Sequence, residues 1–276
     1  MSNIPREFLF TRYDARQGIV WLAQAYAMFK QQRLAWVVLL LAYYLVLIVL
    51  RAIPVLGPYA MTVMKPVFAV GLLAAAWTQE RGSPPKLSQL FQGFRANLWA
   101  LLPIGVFFVV GITLAVFASS LVDGGKLLDF LSVGGSLTEE QLASALAGGS
   151  LQLGMLFSAV LSIPILMATW WAPALVVFQD AGPGAALLAS LRASLANWKP
   201  LSIYALGVFF YGGVVPGLII GGIALVVPQP AAQVLVIVLL LPYSLFFAAT
   251  LHISDYVSYR DVFHAGETLA PLPTRD

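Results

Sequence analysis

Long apolar runs separated by short polar stretches give the first picture of this chain. About 20 consecutive apolar residues carry a helix across the hydrocarbon core of a bilayer. Six segments reach that length: 34–53, 58–78, 98–120, 154–178, 201–227 and 231–256. The stretch "AIPVLGP" (52–58) holds two prolines and a glycine and predicts a tight turn between the first two segments. The uncharged "VVPQPAA" (226–232) joins the last two in the same way. A longer loop, 121–153, joins the third and fourth. It carries three glycine pairs, and "SLTEEQLASAL" (136–146) opens on a Ser136…Glu139 capping box that predicts a short helix. The expected fold class is therefore all-α: a polytopic membrane protein with six transmembrane helices arranged as three hairpins. It forms one integral membrane domain over 1–276, with a polar segment 1–33 before the bundle and a tail 257–276 after it.

Each hairpin is preceded by a stretch with helical periodicity. Leu22, Ala25/Tyr26 and Phe29 recur at spacings of three and four in "QGIVWLAQAYAMFKQQRLAW" (17–36). Leu87, Leu90, Phe91, Phe94 and Leu98 do so before the third segment, and Leu188, Leu191, Leu195 and Trp198 before the fifth. The second and third stretches also look alike at an offset of about one hundred. "QERGSPPKLSQLFQGFRAN" (79–97) matches "QDAGPGAALLASLRASLAN" (179–197) at Gln79/Gln179, Glu80/Asp180, Gly82/Gly182, Leu87/Leu187 and Ala96-Asn97/Ala196-Asn197. The unit is an amphipathic elbow followed by a transmembrane hairpin, three times in parallel. Such elbows either lie in the membrane interface, apolar side among acyl chains and cations at the headgroups, or pack under the bundle.

Composition confirms the class. The chain is 60% hydrophobic and 10% charged, with a mean hydropathy of +0.88, whereas soluble domains average about 25% charged residues. The first 33 residues are mixed polar and the first apolar run is long enough to span, so no cleavable signal peptide is expected. With no cysteine, disulfides, thiolate metal sites and cysteine nucleophiles are out of reach. Basic residues set the orientation. Twelve of the fifteen fall in the elbows and tails, against Lys126 and Arg51 on the opposite side and Lys65 within a span. Both termini are thus expected in the cytoplasm and the 121–153 loop outside. The expected location is a bacterial inner membrane.

The "Q-[ED]-x-G" turns at Gln79–Gly82 and Gln179–Gly182, the basic elbows and the closing "DYVSYRDVF" (255–263) resemble a group of bacterial six-span proteins. That group includes YciC-like proteins and the membrane domain appended to some glycerophosphodiester phosphodiesterases. The resemblance implies an inner-membrane protein close to lipid or envelope biology. No phosphodiesterase catalytic domain accompanies it here, so that activity does not follow.

Candidate chemistry is sparse. All twelve carboxylates lie outside the span centres, where proton- or cation-coupled transporters usually place an ionisable group. His252 and Asp255 sit three apart in "HISDY", half of a metal site without a second half. No phosphate loop, dinucleotide fingerprint or HExxH signature occurs. Trp77, Trp99, Trp198, Tyr256, Tyr259 and Tyr59 fit aromatic belts. Pro164 and "TWWAP" (169–173) predict a kinked fourth span. Neither catalytic residues, cofactor nor metal is expected, and the partners expected are membrane lipids, with a membrane-protein partner as a further possibility and nucleic acid excluded. The candidate lipid contacts at the inner interface are Lys30, Arg33, Lys86, Arg95, Arg192 and Lys199. Arg51 and Lys65 are candidates for holding an anionic lipid or substrate in the outer half, with Lys65 otherwise snorkelling or bound to the Thr62 carbonyl that Pro66 frees. The expected function is that of a non-enzymatic membrane protein engaging lipids or partner proteins; the alternative is a transporter or lipid translocase built on Arg51 and Lys65.

Overall fold

A computed structural model of the chain describes residues 8–54, 57–132 and 148–264, and these are all helix, turn or short extended connection. The Ser136…Glu139 box, Arg6 and Arg275 lie outside the described residues. The helices, in chain order, are α1 (Gln17–Gln31), α2 (Arg33–Arg51), α3 (Gly57–Glu80), a 3-10 turn (Leu87–Phe91) running into α4 (Gln92–Ala96), α5 (Leu98–Asp123) and α6 (Lys126–Ser132). Then follow α7 (Ser150–Trp170), α8 (Ala172–Gln179), α9 (Pro183–Ala196), α10 (Trp198–Phe209), a π-helical turn (Phe210–Val214), α11 (Val215–Val226) and α12 (Ala231–His264). Six helical segments are long and apolar enough to cross a membrane: α2, α3, α5, α7–α8, α10–α11 and α12. They match the six apolar runs, with ends shifted by a few residues.

Helices in lipid gain little from excluding water, because acyl chains are as apolar as leucine. Close backbone approach at small residues replaces that drive. The centre of the bundle shows it. α3 is buried almost all round from Pro66 to Ala76. Gly71 faces the Leu90 carbonyl, Gly93 faces the Val67 carbonyl and Gly105 faces the Val63 carbonyl, each so near that a Cβ would collide with backbone. The second elbow is thereby laid along α3. Gly93 meets it thirteen residues before Glu80, about 20 Å along the helix.

The largest buried side chains are Trp21, Trp36, Trp171, Tyr256, Tyr259 and Phe68. They gather in the half of the bundle where the elbows lie, the basic end. Tyr256 and Tyr259 are therefore core residues, whereas Trp99, Trp198 and Tyr59 stay exposed as belt residues should. At the opposite end the third hairpin stands nearly free. Between Ala205 and Ser244 only Ile223 and Ala232 are buried.

Span four breaks at Trp171, not at Pro164, which continues inside α7. Pro173 at the start of α8 cannot donate to the ladder. At Trp171 itself Ser190 of α9 bridges the break, accepting the Trp171 N–H at 3.0 Å and donating to the Met167 carbonyl at 2.7 Å. Ser194 donates to the same carbonyl at 3.1 Å.

Candidate functional site

The two Q-[ED]-x-G turns converge on one object, the last turns of α12. Glu80, ending α3, accepts hydrogen bonds from the Tyr256 hydroxyl and from Arg260 Nη1. Arg260 also donates through Nη2 to Asp261 Oδ1 at 2.7 Å and to Gln24 Oε1 at 3.1 Å. Asp261 Oδ2 accepts from Gln17 Nε2 at 2.9 Å and from the Trp21 indole at 3.1 Å, which binds α1 to α12. On the other side of α12, Phe178 stacks on Tyr259 with ring centroids 5.4 Å apart. Gln179 reaches His264, whose Nε2 lies 3.0 Å from the Tyr259 hydroxyl. The preceding glutamines do different work in the two copies. Gln79 accepts from the Trp36 indole and donates to the Met28 carbonyl, joining α2 and α1 to α3.

The extended segment before α1 is clamped into the same layer. Asn197, fully buried between α9 and α10, accepts from the Tyr13 N–H at 2.8 Å and donates to the Thr11 carbonyl at 3.0 Å. The Thr11 N–H donates to the Val262 carbonyl at 2.7 Å, and the Tyr13 hydroxyl to that of Asp261 at 3.0 Å. Burial, then the Asp261 charge, push the Tyr13 phenol above its ordinary range. The polar side chains named here are hydrogen-bonded to one another or to backbone, an arrangement that holds a scaffold in one geometry. Sequence reasoning singled out "DYVSYRDVF" only as a likeness. The available signal was Arg260-Asp261 closing an apolar helix, with Tyr256 one turn before Arg260.

The elbows turn their faces in an order that periodicity does not reveal. In α9 the small residues Ala186, Ala189, Ser190, Ala193 and Ser194 are buried, while Leu188 and Leu195, and Trp198 at the start of α10, point outward beside exposed Arg192 and Lys199. In the second elbow Leu90 and Gly93 go inward; Leu87, Phe91 and Phe94 face outward with Lys86 and Arg95. In α1 the buried side is Gly18, Trp21, Ala25 and Phe29, packed between α10 and α12, so of the two arrangements open to an elbow α1 takes the packed one. Its outward side carries Ile19 and Tyr26, with Lys30 Nζ 4.7 Å from the Tyr26 ring centre and Arg33 exposed beyond.

Arg51 and Lys65 lie on neighbouring helices, one at the end of α2 and the other well inside α3, and both are exposed. Neither has an acidic partner among the described residues. The Lys65 ammonium lies 5.8 Å from the centre of the Phe108 ring of α5. That distance is within the range of a cation–π contact. His252 and Asp255 approach to 3.8 Å beside a cavity of about 30 Å³ lined by Ala69, Leu72, Trp170, Trp171 and Pro173. That volume holds one or two waters. No group of three metal-binding side chains is found among the described residues.

No family model matches the chain, and no solved structure matches it. The chain is 29% identical over 270 residues, spanning 94% of its own length and 95% of the relative's, to a protein of Burkholderia thailandensis named a probable inner membrane protein. Six apolar helices, together with a relative of that name along nearly the whole chain, make this a multi-pass protein of the inner membrane.

Proposed function

We propose that the protein is a non-enzymatic component of the inner membrane that engages inner-leaflet lipids through its elbows, with both termini in the cytoplasm. The outward turn of Leu188 and Leu195 in α9 and of Trp198 at the start of α10, next to Arg192 and Lys199 and with the small residues inward, carries this reading. In water such a face would be inverted. At a membrane interface, leucine and tryptophan enter the acyl region and the cations meet anionic headgroups. The excess of basic residues at this end supports the orientation. The test is to extract the protein with its surrounding lipid in polymer-bounded discs and quantify the phospholipids. Arg192→Glu with Lys199→Glu is expected to lower the share of anionic lipid. An unchanged lipid profile would remove the reading, and turnover in a hydrolase screen would remove its non-enzymatic part.

A second reading, a lipid translocase, is favoured by one observation: Lys65 is exposed beside the middle of α5, without an acidic partner among the described residues. Ionisable groups at such depth are costly and commonly functional. Movement of labelled phospholipid in liposomes, abolished by Lys65→Ala, would put this reading in place of the first.

A further inference from the structure

α5 carries a shallow, open groove, formed by its own side chains, on the side turned away from α3. It has a volume of about 670 Å³ and an almost wholly apolar lining, formed by Trp99, Pro103, Val106, Phe107, Val110 and Leu114 among others. These positions recur at spacings of three and four, so they share one face. From Trp99 to Leu114 they extend about 22 Å along the helix. That is longer than one leaflet of the hydrocarbon core, about 15 Å. Such a lining suits a hydrocarbon chain.

Charge at one mouth selects the occupant. The second elbow delivers Arg95 to the start of α5, four residues before Trp99, and both side chains are exposed. Phe91 and Phe94 flank Arg95 on the outward side of the elbow. No carboxylate occurs in the chain from Arg81 through Val122, and Glu80 is already engaged by Arg260 and Tyr256. Arg95, in the elbow just before Trp99, therefore offers a guanidinium with no carboxylate partner among the described residues. A guanidinium suits a phosphate diester in bidentate fashion. Lys65 is not part of this site, because it sits over Phe108, on the opposite side of α5.

We propose that this face of α5 binds one anionic phospholipid of the inner leaflet, its phosphate on Arg95 and one acyl chain along the groove from Trp99 to Leu114. The site rests on the lipid-engaging reading and on the orientation given above. Native mass spectrometry of the full-length protein, titrated with phosphatidylglycerol or with phosphatidylcholine of the same chains, tests it. One phosphatidylglycerol is expected to stay bound per chain. Arg95→Gln should weaken phosphatidylglycerol about fivefold and phosphatidylcholine, whose choline offsets the phosphate charge, by less. Val106→Trp, at a position already exposed to lipid, should weaken both alike by filling the groove. Equal retention in both variants and the parent would overturn the site. So would displacement of the lipid by inorganic phosphate alone, or loss of a dimer on Val106→Trp, which would make the occupant a second copy. If Arg192→Glu with Lys199→Glu still alters the co-extracted lipid while the α5 variants change nothing, the groove fails and the general reading stands.

Discussion

Arg260 is fixed from three helices at once: by Glu80 of α3, by Gln24 of α1 and by its own neighbour Asp261. Its side chain is 17% exposed and that of Glu80 22%. Removing Glu80 takes one of two carboxylates from Arg260 and the acceptor from the Tyr256 hydroxyl, while Asp261 still faces the guanidinium. Glu80→Ala is expected to cost about 2 kcal/mol in thermal or denaturant unfolding of the purified protein, the worth of a hydrogen bond to a charged group. Tyr256→Phe, which removes one hydroxyl from the same carboxylate, is expected to cost about 1 kcal/mol. Asp261 and Asn197 act on the segment before α1. Asp261→Ala releases Gln17 and Trp21, and Asn197→Ala releases Thr11 and Tyr13. Both variants should speed tryptic cleavage at Arg12 and Arg16, while Ser202→Ala, on an exposed position of α10, should not.

At the level of elements, glycines separate the packed spans from the free one. Gly93 and Gly105 allow backbones to touch at Val67 and Val63, whereas a Cβ at Gly217 or Gly221 of α11 meets nothing within 4 Å. Gly93→Ala or Gly105→Ala must push α4 or α5 away from α3 and should lower the melting temperature markedly. Gly217→Ala and Gly221→Ala should leave it unchanged or raise it, since alanine favours a helix over glycine by up to about 1 kcal/mol per site. A fall in both sets would show that α11 is packed in the membrane. The break in span four follows a related logic. The helix opens at Trp171, and Ser190 and Ser194 of the next elbow take up the Trp171 N–H and the Met167 carbonyl that a continuous ladder would pair.

For the molecule as a whole, the testable quantity is orientation. The absence of cysteine makes the native chain its own background for labelling. Ser83, after α3, and Ser132, at the end of α6, are both exposed and lie at opposite ends of the spans. In intact cells stripped of the outer membrane, Ser132→Cys should react with an impermeant maleimide and Ser83→Cys only after lysis. The reverse pattern would invert the topology and carry the elbows, with their lipid contacts, to the outer leaflet.

The apolar runs alone determined six helices, their approximate ends and the positions of the elbows, because spanning a bilayer demands a length of hydrocarbon that composition displays directly. Which way each elbow faces was beyond them. Leu90 and Leu87 are equally apolar, yet Leu90 is buried and Leu87 faces out, since only Leu90 lies where Gly71 lets α3 come close. Tyr256 and Tyr259 have the composition of belt residues, but α12 continues past the apolar region into a layer closed by α1, α3 and α8. The two repeat turns could be matched by eye as sequence. That both grip the end of α12, one through Glu80 and the other through Gln179, depends on contacts between residues some 85 to 180 positions apart. In lipid, hydrophobicity places a helix in the membrane without choosing its neighbours; close backbone approach and hydrogen bonding make that choice, and only the tertiary structure contains them.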